Sequence, residues 1–271
     1  MSAARRPIKS LGQNFLVDRN IIAKIIASAR IAPTDSILEI GPGRGALTSH
    51  LAQQANRLVL VEYDHVLASG LADLYRDEPR VKVVDADILA VNLPELLGNV
   101  EGGWKVVANL PYNISSPVLF RLLEHRSLFS RLVLMLQKEV GDRLVASHGG
   151  GDYGVTTVLL GLWFDMRREF VVHPASFHPS PRVDSVVVSF VPLPKPRVEV
   201  GDEEMFRRVV KGSFAMRRKT LSNCLKAAGL ANPGDITGIL QACGIDGQRR
   251  GETLSLEEFA AISRYLSDIA A

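Results

Sequence analysis

The residues best suited to chemistry are Asn109 to Tyr112, an Asn-Leu-Pro-Tyr stretch directly after the apolar run 104–108. An amide oxygen and a nearby backbone carbonyl can together accept both hydrogen bonds of an amino group. Pro111 pushes Leu110 out of the helical region and so holds the carbonyl of Leu110 in an extended geometry. Tyr112 adds an aromatic face on which a flat ring can stack. The stretch therefore predicts a site that binds an aromatic amine such as adenine.

Methylation of such an amine requires few catalytic groups. The exocyclic nitrogen of adenine is a weak nucleophile because its lone pair is delocalised into the ring. Two acceptors favour a pyramidal nitrogen whose lone pair points at an electrophile. If the electrophile is a sulfonium methyl group, neither a metal nor a strong base is required, and the residues act by positioning. We predict no metal site, and as catalytic residues we predict Asn109, Leu110, Pro111 and Tyr112.

A second group of residues fits a nucleotide-type cofactor. Glycines at 41, 43 and 45 follow an apolar run, where glycine permits a tight turn and the next helix offers free amide donors. Glu62 ends the next run, 21 residues after Gly41, where a carboxylate can accept hydrogen bonds from ribose hydroxyls. Asp87 ends the third run, where its carboxylate could accept a hydrogen bond from an adenine amino group. The predicted cofactor-binding residues are Gly41, Gly43, Glu62 and Asp87.

The glycine spacing by itself leaves two cofactor classes open. Gly41, Gly43 and Ala46 also satisfy the G-x-G-x-x-G/A dinucleotide pattern, so a nicotinamide-dependent dehydrogenase is an alternative. That alternative offers no role for the Asn-Leu-Pro-Tyr stretch. A cofactor-binding titration separates the two.

Five short apolar runs must position these residues. Segments with helical spacing separate most of them, and this rhythm predicts a parallel sheet covered by helices on both faces. The runs are residues 36–41, 57–62, 81–87, 104–109 and 131–137. Open sheets of this kind bind ligands at the carboxyl ends of their strands, so the glycines, the two acids and Asn109 are expected to face one crevice. Asp18 is expected to cap an earlier helix, and residues 165–172 and 183–190 to form a late antiparallel hairpin.

A Pro-rich stretch at 192–196 is expected to end the sheet domain, because repeated proline stiffens the chain and interrupts regular structure. The pattern after it is helical, and Ser255 and Glu258 stand at capping-box spacing before the last helix. We predict a cofactor-binding catalytic domain at 1–193 and a helical domain at 194–271.

The composition excludes several classes of protein. The 271 residues are 46% hydrophobic and 23% charged, which is ordinary for a folded globular protein. No run approaches the ~20 apolar residues of a membrane span, and the N-terminus lacks the pattern of a signal peptide. Two cysteines, Cys224 and Cys243, give neither a disulfide framework nor a metal motif. These features predict a cytoplasmic protein without a membrane partner.

The net charge of +3 is only mildly basic, so a nucleic-acid surface must depend on where the charges lie. Residues 205–226 contain seven Lys or Arg and no acid, which favours contacts with phosphate. The residues predicted to bind nucleic acid there are Arg207, Arg208, Lys211, Arg217, Arg218 and Lys219. A shorter basic cluster at the N-terminus consists of Arg5, Arg6 and Lys9.

Together, these motifs resemble those of the KsgA/Dim family of ribosomal RNA adenine dimethyltransferases, in order and spacing and over nearly the whole chain. They are GQNFL (12–16), EIGPGRGALT (39–48), the E-x-D at 62–64, Asp87, NLPYNISSP (109–117), F-x-P-x-P-x-V (177–183) and RKTLSN (218–223). The resemblance implies an α/β, Rossmann-like class I methyltransferase fold with a small C-terminal all-α domain. It also implies S-adenosylmethionine-dependent dimethylation of N6 of two adjacent adenosines in small-subunit ribosomal RNA, linked to ribosome biogenesis.

The resemblance implies further residue roles. Asn14 and Leu16 would contact S-adenosylmethionine, and Asn109 would contact both the cofactor and the target amine. Phe177 would be a second stacking ring opposite Tyr112. The expected partner is small-subunit ribosomal RNA in a partly assembled subunit, and the expected state is a monomer.

Two alternatives stay open within RNA biology. One is a large-subunit adenine methyltransferase of the erythromycin-resistance type, which shares the chemistry and most motifs. RKTLSN and the intact F-x-P-x-P-x-V favour the small-subunit interpretation over it. The other is a mainly non-catalytic RNA-binding factor of ribosome assembly, against which the presence of every acceptor and stacking residue argues.

Overall fold

A computed structural model describes residues 13–232 and 234–270. Its strands are β1 (Phe15–Leu16), β2 (Ser36–Ile40), β3 (Arg57–Glu62), β4 (Val81–Asp85), β5 (Trp104–Asn109), β6 (Phe129–Gln137), β7 (Phe164–Val172), β8 (Phe177–His178) and β9 (Ser185–Pro192). Its helices are α1 (Arg19–Ala29), α2 (Thr48–Gln54), α3 (His65–Leu74), α4 (Leu93–Leu97), α5 (Ser115–Glu124), α6 (Lys138–Leu144), α7 (Val155–Gly161), α8 (Glu203–Phe214), α9 (Leu221–Ala227), α10 (Asp235–Ala242) and α11 (Leu256–Ala270).

The five predicted apolar runs all form strands of one seven-stranded sheet, in the order β4-β3-β2-β5-β6-β9-β7. The first five of these strands pair in parallel, and β9 pairs antiparallel with β6. The chain runs outward from β2 through β3 to β4 and then crosses to β5 on the other side of β2. Ligands bind at such a reversal of strand order, so the crevice is expected where β2 and β5 end.

Apolar side chains on both faces of the central strands build the core. Leu58 and Leu60 of β3 belong to one buried cluster with Val107 of β5 and with Ile22 and Ile25 of α1. The intervening residues of the same strands are also buried, among them Val59, Val61 and Val106. Burial on both faces is what a parallel sheet between helical layers requires.

Predicted helix caps are present. The Asp18 carboxylate accepts hydrogen bonds from the backbone N–H groups of Asn20 and Ile21 at the start of α1. Before α11, Glu258 Oε2 accepts from Ser255 N at 2.8 Å, while Ser255 Oγ accepts from Glu258 N at 3.3 Å. This reciprocal pair is the capping box that the spacing indicated.

Some element boundaries differ from the predictions. Strand β4 ends at Asp85, so Asp87 lies in the following loop. The residues predicted as a hairpin form β7 and β9, which are neighbours in the sheet, but the segment between them contains the short strand β8. Strand β8 pairs antiparallel with β1, in a region where we predicted no strand.

The described residues form two compact units. One comprises the chain up to Asp142 together with Asp165–Pro192, and the other comprises Arg143–Phe164 together with Leu193–Ala271. The second unit thus combines the residues after the Pro-rich stretch with an earlier segment that contains α7, which the prediction had placed in the first domain. No helix among the described residues is both long enough and apolar enough to cross a membrane.

Candidate active site

The glycine loop follows β2 and depends on backbone conformations that other residues rarely adopt. Gly41, Gly43 and Gly45 have φ values of 63°, 60° and 79°. The loop is tied to β3 by a 2.9 Å hydrogen bond from Gly41 N to the carbonyl of Val61. A Cβ at Gly43 would lie 3.1 Å from the ring of Phe15, so close packing as well as φ requires glycine here.

Glu62 ends β3 with its carboxylate directed at the glycine loop. Its Oε2 accepts from Gly43 N at 2.9 Å, and its Oε1 accepts from Asp64 N at 2.8 Å. Burial raises the pKa of Glu62, and these backbone hydrogen bonds oppose the rise. A carboxylate has about four acceptor positions, so these backbone donors leave acceptor capacity for ligand hydroxyls.

Asp87 lies in a loop that is fixed from two sides. Its Oδ1 accepts from Leu89 N at 2.8 Å. The guanidinium of Arg121, on α5, donates to the carbonyls of Ile88 at 3.0 Å and Val91 at 2.5 Å. The carboxylate borders a cavity of about 290 Å³ whose lining also includes Gln13, Gly41, Glu62, Tyr63, Ile88, Leu89, Pro111 and Asn113.

The Asn-Leu-Pro-Tyr stretch follows β5 and is held by its own hydrogen bonds. Leu110 N donates to the carbonyl of Met135 at 3.1 Å, and the carbonyl of Pro111 accepts from Ser115 Oγ at 3.1 Å. The Tyr112 hydroxyl lies 2.6 Å from Ser185 Oγ. Burial raises the pKa of Tyr112, so its hydroxyl is neutral at physiological pH.

A second cavity, of about 80 Å³, adjoins the first and shares Gln13, Gly41, Glu62 and Pro111 with it. It brings most of the predicted site residues together, because its lining includes Asn14, Leu16, Gly41, Gly43, Glu62, Asn109, Leu110, Pro111 and Tyr112. The two cavities form one crevice at the carboxyl ends of β2, β3 and β5.

Phe177 lies outside this lining. It is only 4% exposed and belongs to the core cluster with Leu16 and Ile22. It pairs with Leu16 in the β1–β8 ladder. Its backbone therefore adjoins the N-terminal segment of the crevice, while its ring packs in the core.

The crevice also contains residues that were not predicted, and three of them carry polar or charged groups of interest: Glu39, Gln13 and Arg44. Glu39 in β2 lines the smaller cavity; it is 2% exposed, and its Oε2 has no hydrogen-bond partner among the described residues. Burial raises the pKa of Glu39 to about 8. Gln13 donates to Asp64 Oδ2 at 3.1 Å, and the Arg44 guanidinium lies 4.4 Å from the centre of the Phe15 ring. A single acid inside an otherwise apolar strand was the available signal for Glu39.

The predicted nucleic-acid residues all belong to the second unit. On α8, Arg207, Arg208 and Lys211 share one face by their spacing, opposite the buried Phe206 and Val209. The positions after α8 are also exposed, and they carry Arg217, Arg218 and Lys219. Arg207 lies 3.7 Å from Glu204, and Arg217 donates to the carbonyl of Gly151 at 3.3 Å. The N-terminal cluster of Arg5, Arg6 and Lys9 lies outside the described residues.

The strand order and the crevice at its reversal define a Rossmann-like fold, and the matching solved structures of 26% and 28% identity are methyl-transferring enzymes, which makes the molecule a class I S-adenosylmethionine-dependent methyltransferase. More particularly, the chain belongs to the ribosomal RNA adenine dimethylase family, whose model matches residues 5–268. This membership confirms the resemblance seen in the motifs and excludes the dehydrogenase alternative.

The names of individual similar proteins are consistent with this family. The chain is 61% identical over 264 residues to ribosomal RNA small subunit methyltransferase A of Geobacter metallireducens, covering 96% of each protein. The protein of the same name from Moorella thermoacetica is 44% identical over 96% of this chain and 92% of its own. Among solved structures, a dimethyladenosine transferase from Plasmodium falciparum matches with a TM-score of 0.78 and 28% identity, over 92% of this chain and 95% of that one. The 23S rRNA methyltransferase ErmE matches with a TM-score of 0.70 and 26% identity, over 93% and 99%.

The crevice fits S-adenosylmethionine, the cofactor of this class. Gly41 leaves room for a ligand against the backbone, since a Cβ there would meet no atom nearer than 3.8 Å, and Glu62 retains acceptor capacity for ribose hydroxyls. Glu39 lines the smaller cavity, and its Oε2 has no hydrogen-bond partner among the described residues, so this oxygen is available to a polar ligand group.

Proposed function

We propose that this enzyme dimethylates N6 of two adjacent adenosines in small-subunit ribosomal RNA. The observation that carries the chemistry is the smaller cavity, which Gly41 and Glu62 share with Asn109, Leu110 and Tyr112. The groups proposed to bind the cofactor and the amine thus line one cavity. The small-subunit assignment is supported by the names of relatives that are up to 61% identical over nearly the whole chain.

The proposed cofactor site extends along the crevice. Glu62 would bind the ribose and Asp87 the adenine amino group, while Gly41 and Gly43 would lie near the remainder of the cofactor. Asn14 and Leu16 would contact it from the N-terminal segment, since both line the smaller cavity. When bound, S-adenosylmethionine supplies an electrophilic methyl group.

The proposed catalytic residues act on the target amine by accepting hydrogen bonds. Asn109 Oδ1 and the carbonyl of Leu110 would each accept one N–H of the adenine, which directs the nitrogen lone pair toward the methyl group. Pro111 holds the Leu110 carbonyl, and Tyr112 stacks on the base after it has left its helix. Phe177 would serve as the second ring; because its ring is buried, this role requires the segment around β8 to rearrange when RNA binds.

The proposed RNA contacts lie in the second unit, on Arg207, Arg208, Lys211, Arg217, Arg218 and Lys219. Exposed cations suit contacts with a phosphate backbone, and all of these except Arg207 are exposed. The proposed substrate is a partly assembled small subunit, bound by a monomeric enzyme in the cytoplasm. In this proposal, residues 1–193 bind the cofactor and carry out catalysis, and residues 194–271 contact the RNA.

A substrate comparison tests the proposal. Purified enzyme is incubated with methyl-labelled S-adenosylmethionine and with unmethylated small or large ribosomal subunits in separate reactions, and the labelled nucleoside is identified by mass. We expect dimethyladenosine in the small subunit alone. Label in the large subunit would instead select the specificity that the name of ErmE describes. Absence of label from both, with cofactor still bound, would favour a non-catalytic assembly factor.

A further inference from the structure

Residues 13–17, which we term the strap, cross the crevice and are fixed at several points. At one end Gln13 donates to Asp64 Oδ2 at 3.1 Å. At the other, Val17 N donates to the carbonyl of Ser176 at 2.9 Å, next to the β1–β8 pairing. Between them, the Phe15 ring packs under the Arg44 guanidinium. The strap therefore has a defined position relative to both cavities.

The strap also contacts the residue central to the proposed chemistry. Asn109 Nδ2 donates to the backbone carbonyl of Asn14 at 3.1 Å. A carbonyl oxygen can only accept a hydrogen bond, so the NH₂ group of the amide, and not its oxygen, must face the strap. The opposite edge of the amide, which carries Oδ1, consequently points away from the strap.

We propose that the backbone carbonyl of Asn14 is a positioning group for methyl transfer. By binding the NH₂ group of Asn109, it fixes the amide in the one orientation that presents Oδ1 as an acceptor for the target amine. The inference rests on the proposed function of Asn109 and adds the group that orients it. Without this hydrogen bond, the amide could rotate by about 180° and present two donors to an amine that is itself a donor.

The substitution Asn109→Asp tests this orientation, because an acid can replace the amide only in its protonated form. When the introduced carboxyl group is neutral, it donates its O–H to the Asn14 carbonyl and offers its other oxygen to the amine. When that group is ionised, it places a negative oxygen against the Asn14 carbonyl, which repels it. If the strap carbonyl positions residue 109, the activity of the variant must fall as pH rises through the pKa of the introduced acid.

The measurement is the single-turnover rate of methyl transfer between pH 6 and pH 9, with cofactor and RNA substrate saturating. Other titratable side chains line the same cavity, namely Glu39, Arg44, Glu62 and Tyr112. Dividing each variant rate by the wild-type rate at the same pH removes their contribution. We expect this ratio to fall by roughly tenfold per pH unit above the pKa of the introduced acid. The matched control is Asn56→Asp, at an exposed position before β3, whose ratio should not change with pH.

Asn109→Ala separates failure of this inference from failure of the proposed function. We expect it to bind cofactor, as measured by calorimetry, but to lose transfer at every pH. Wild-type transfer by Asn109→Ala would remove Asn109 from the chemistry altogether. If that variant is inactive while the Asn109→Asp ratio is flat or rises with pH, the carbonyl of Asn14 does not position the amide. The same conclusion follows if Asn109→Asp is no more active than Asn109→Ala at any pH.

Discussion

Glu39 carries a buried carboxyl group whose folded-state pKa, about 8, lies above the ordinary value of 4.5 because of burial. An acid with a raised pKa binds a proton more tightly in the folded chain than in the unfolded chain. Its stabilising contribution is therefore complete below about pH 4.5 and is lost as pH rises toward 8. Over this window the free energy of unfolding is expected to decrease by up to roughly 1.4 kcal/mol per pH unit on account of this group.

Glu39→Gln should remove this part of the pH dependence. The checking measurement is the midpoint of urea unfolding at pH 5, 6.5 and 8, where the variant is expected to lose less stability than the wild type. Glu78→Gln is the matched control, because Arg80 lowers the pKa of Glu78, which then titrates below this window. Equal slopes for Glu39→Gln and the wild type would show that Glu39 is ionised throughout.

Gly43 has a positive φ, and a Cβ added to it would lie 3.1 Å from the Phe15 ring. Gly43→Ala should therefore both strain the loop, by about 1–2 kcal/mol, and displace the strap. We expect weaker binding of S-adenosylmethionine in a calorimetric titration, by at least about tenfold. Gly70→Ala, in α3 with open space around it, is the control and should bind cofactor as the wild type does. Unchanged affinity of Gly43→Ala would mean that the strap is not part of the cofactor site.

At the scale of elements, α5 connects the Asn-Leu-Pro-Tyr stretch to the loop after Asp87. The helix begins at Ser115, three residues after Tyr112, and Arg121 in its last turn donates to two carbonyls of residues 88–91. Hydrogen bonds from a charged donor contribute about 1.5–3 kcal/mol. Arg121 thus fixes a loop that borders the larger cavity, although Arg121 is not among the residues that line it.

Arg121→Ala is expected to loosen the loop and raise the dissociation constant for S-adenosylmethionine by about tenfold, with a smaller effect on the rate of transfer at saturating cofactor. The comparison is Arg76→Ala, which removes only an exposed ion pair with Asp73. Titration with cofactor, together with the rate of methyl transfer at saturating cofactor, distinguishes Arg121→Ala from Arg76→Ala. A variant with normal affinity and a reduced saturated rate would place the role of Arg121 on the amine side of the crevice instead.

The sequence predicted the long elements well and the short ones poorly, for a physical reason. Five strands were evident because each is a nearly continuous apolar run, as burial on both faces of a parallel sheet requires. Strands β1 and β8 have two residues each, too few for any periodicity, and they exist only because each pairs with the other. The same limit applies to the site: Asn109 was apparent from its motif, whereas its hydrogen bond to Asn14 spans 95 positions and depends on the folded chain.

At the scale of the whole molecule, charge is distributed unevenly along a nearly balanced chain. Exposed Arg217, Arg218 and Lys219 follow the basic face of α8 within the second unit. Each cation that neutralises a phosphate of single-stranded RNA releases counterions, so the logarithm of the affinity falls with the logarithm of the salt concentration by about 0.7 per contact. If these residues contact RNA, they must contribute to that slope and not only to the affinity at one salt concentration.

Replacing Arg217, Arg218 and Lys219 with Gln is therefore expected to weaken RNA binding at low salt and to reduce the salt slope by up to about 2. The matched control neutralises Arg19, Arg76 and Lys82, three exposed cations of the first unit, and so has the same net charge. Binding isotherms at several salt concentrations distinguish the variants. An equal loss of RNA affinity in both variants would indicate an effect of net charge alone. A loss of RNA affinity confined to the variant at 217–219 would place the RNA backbone on the turn after α8.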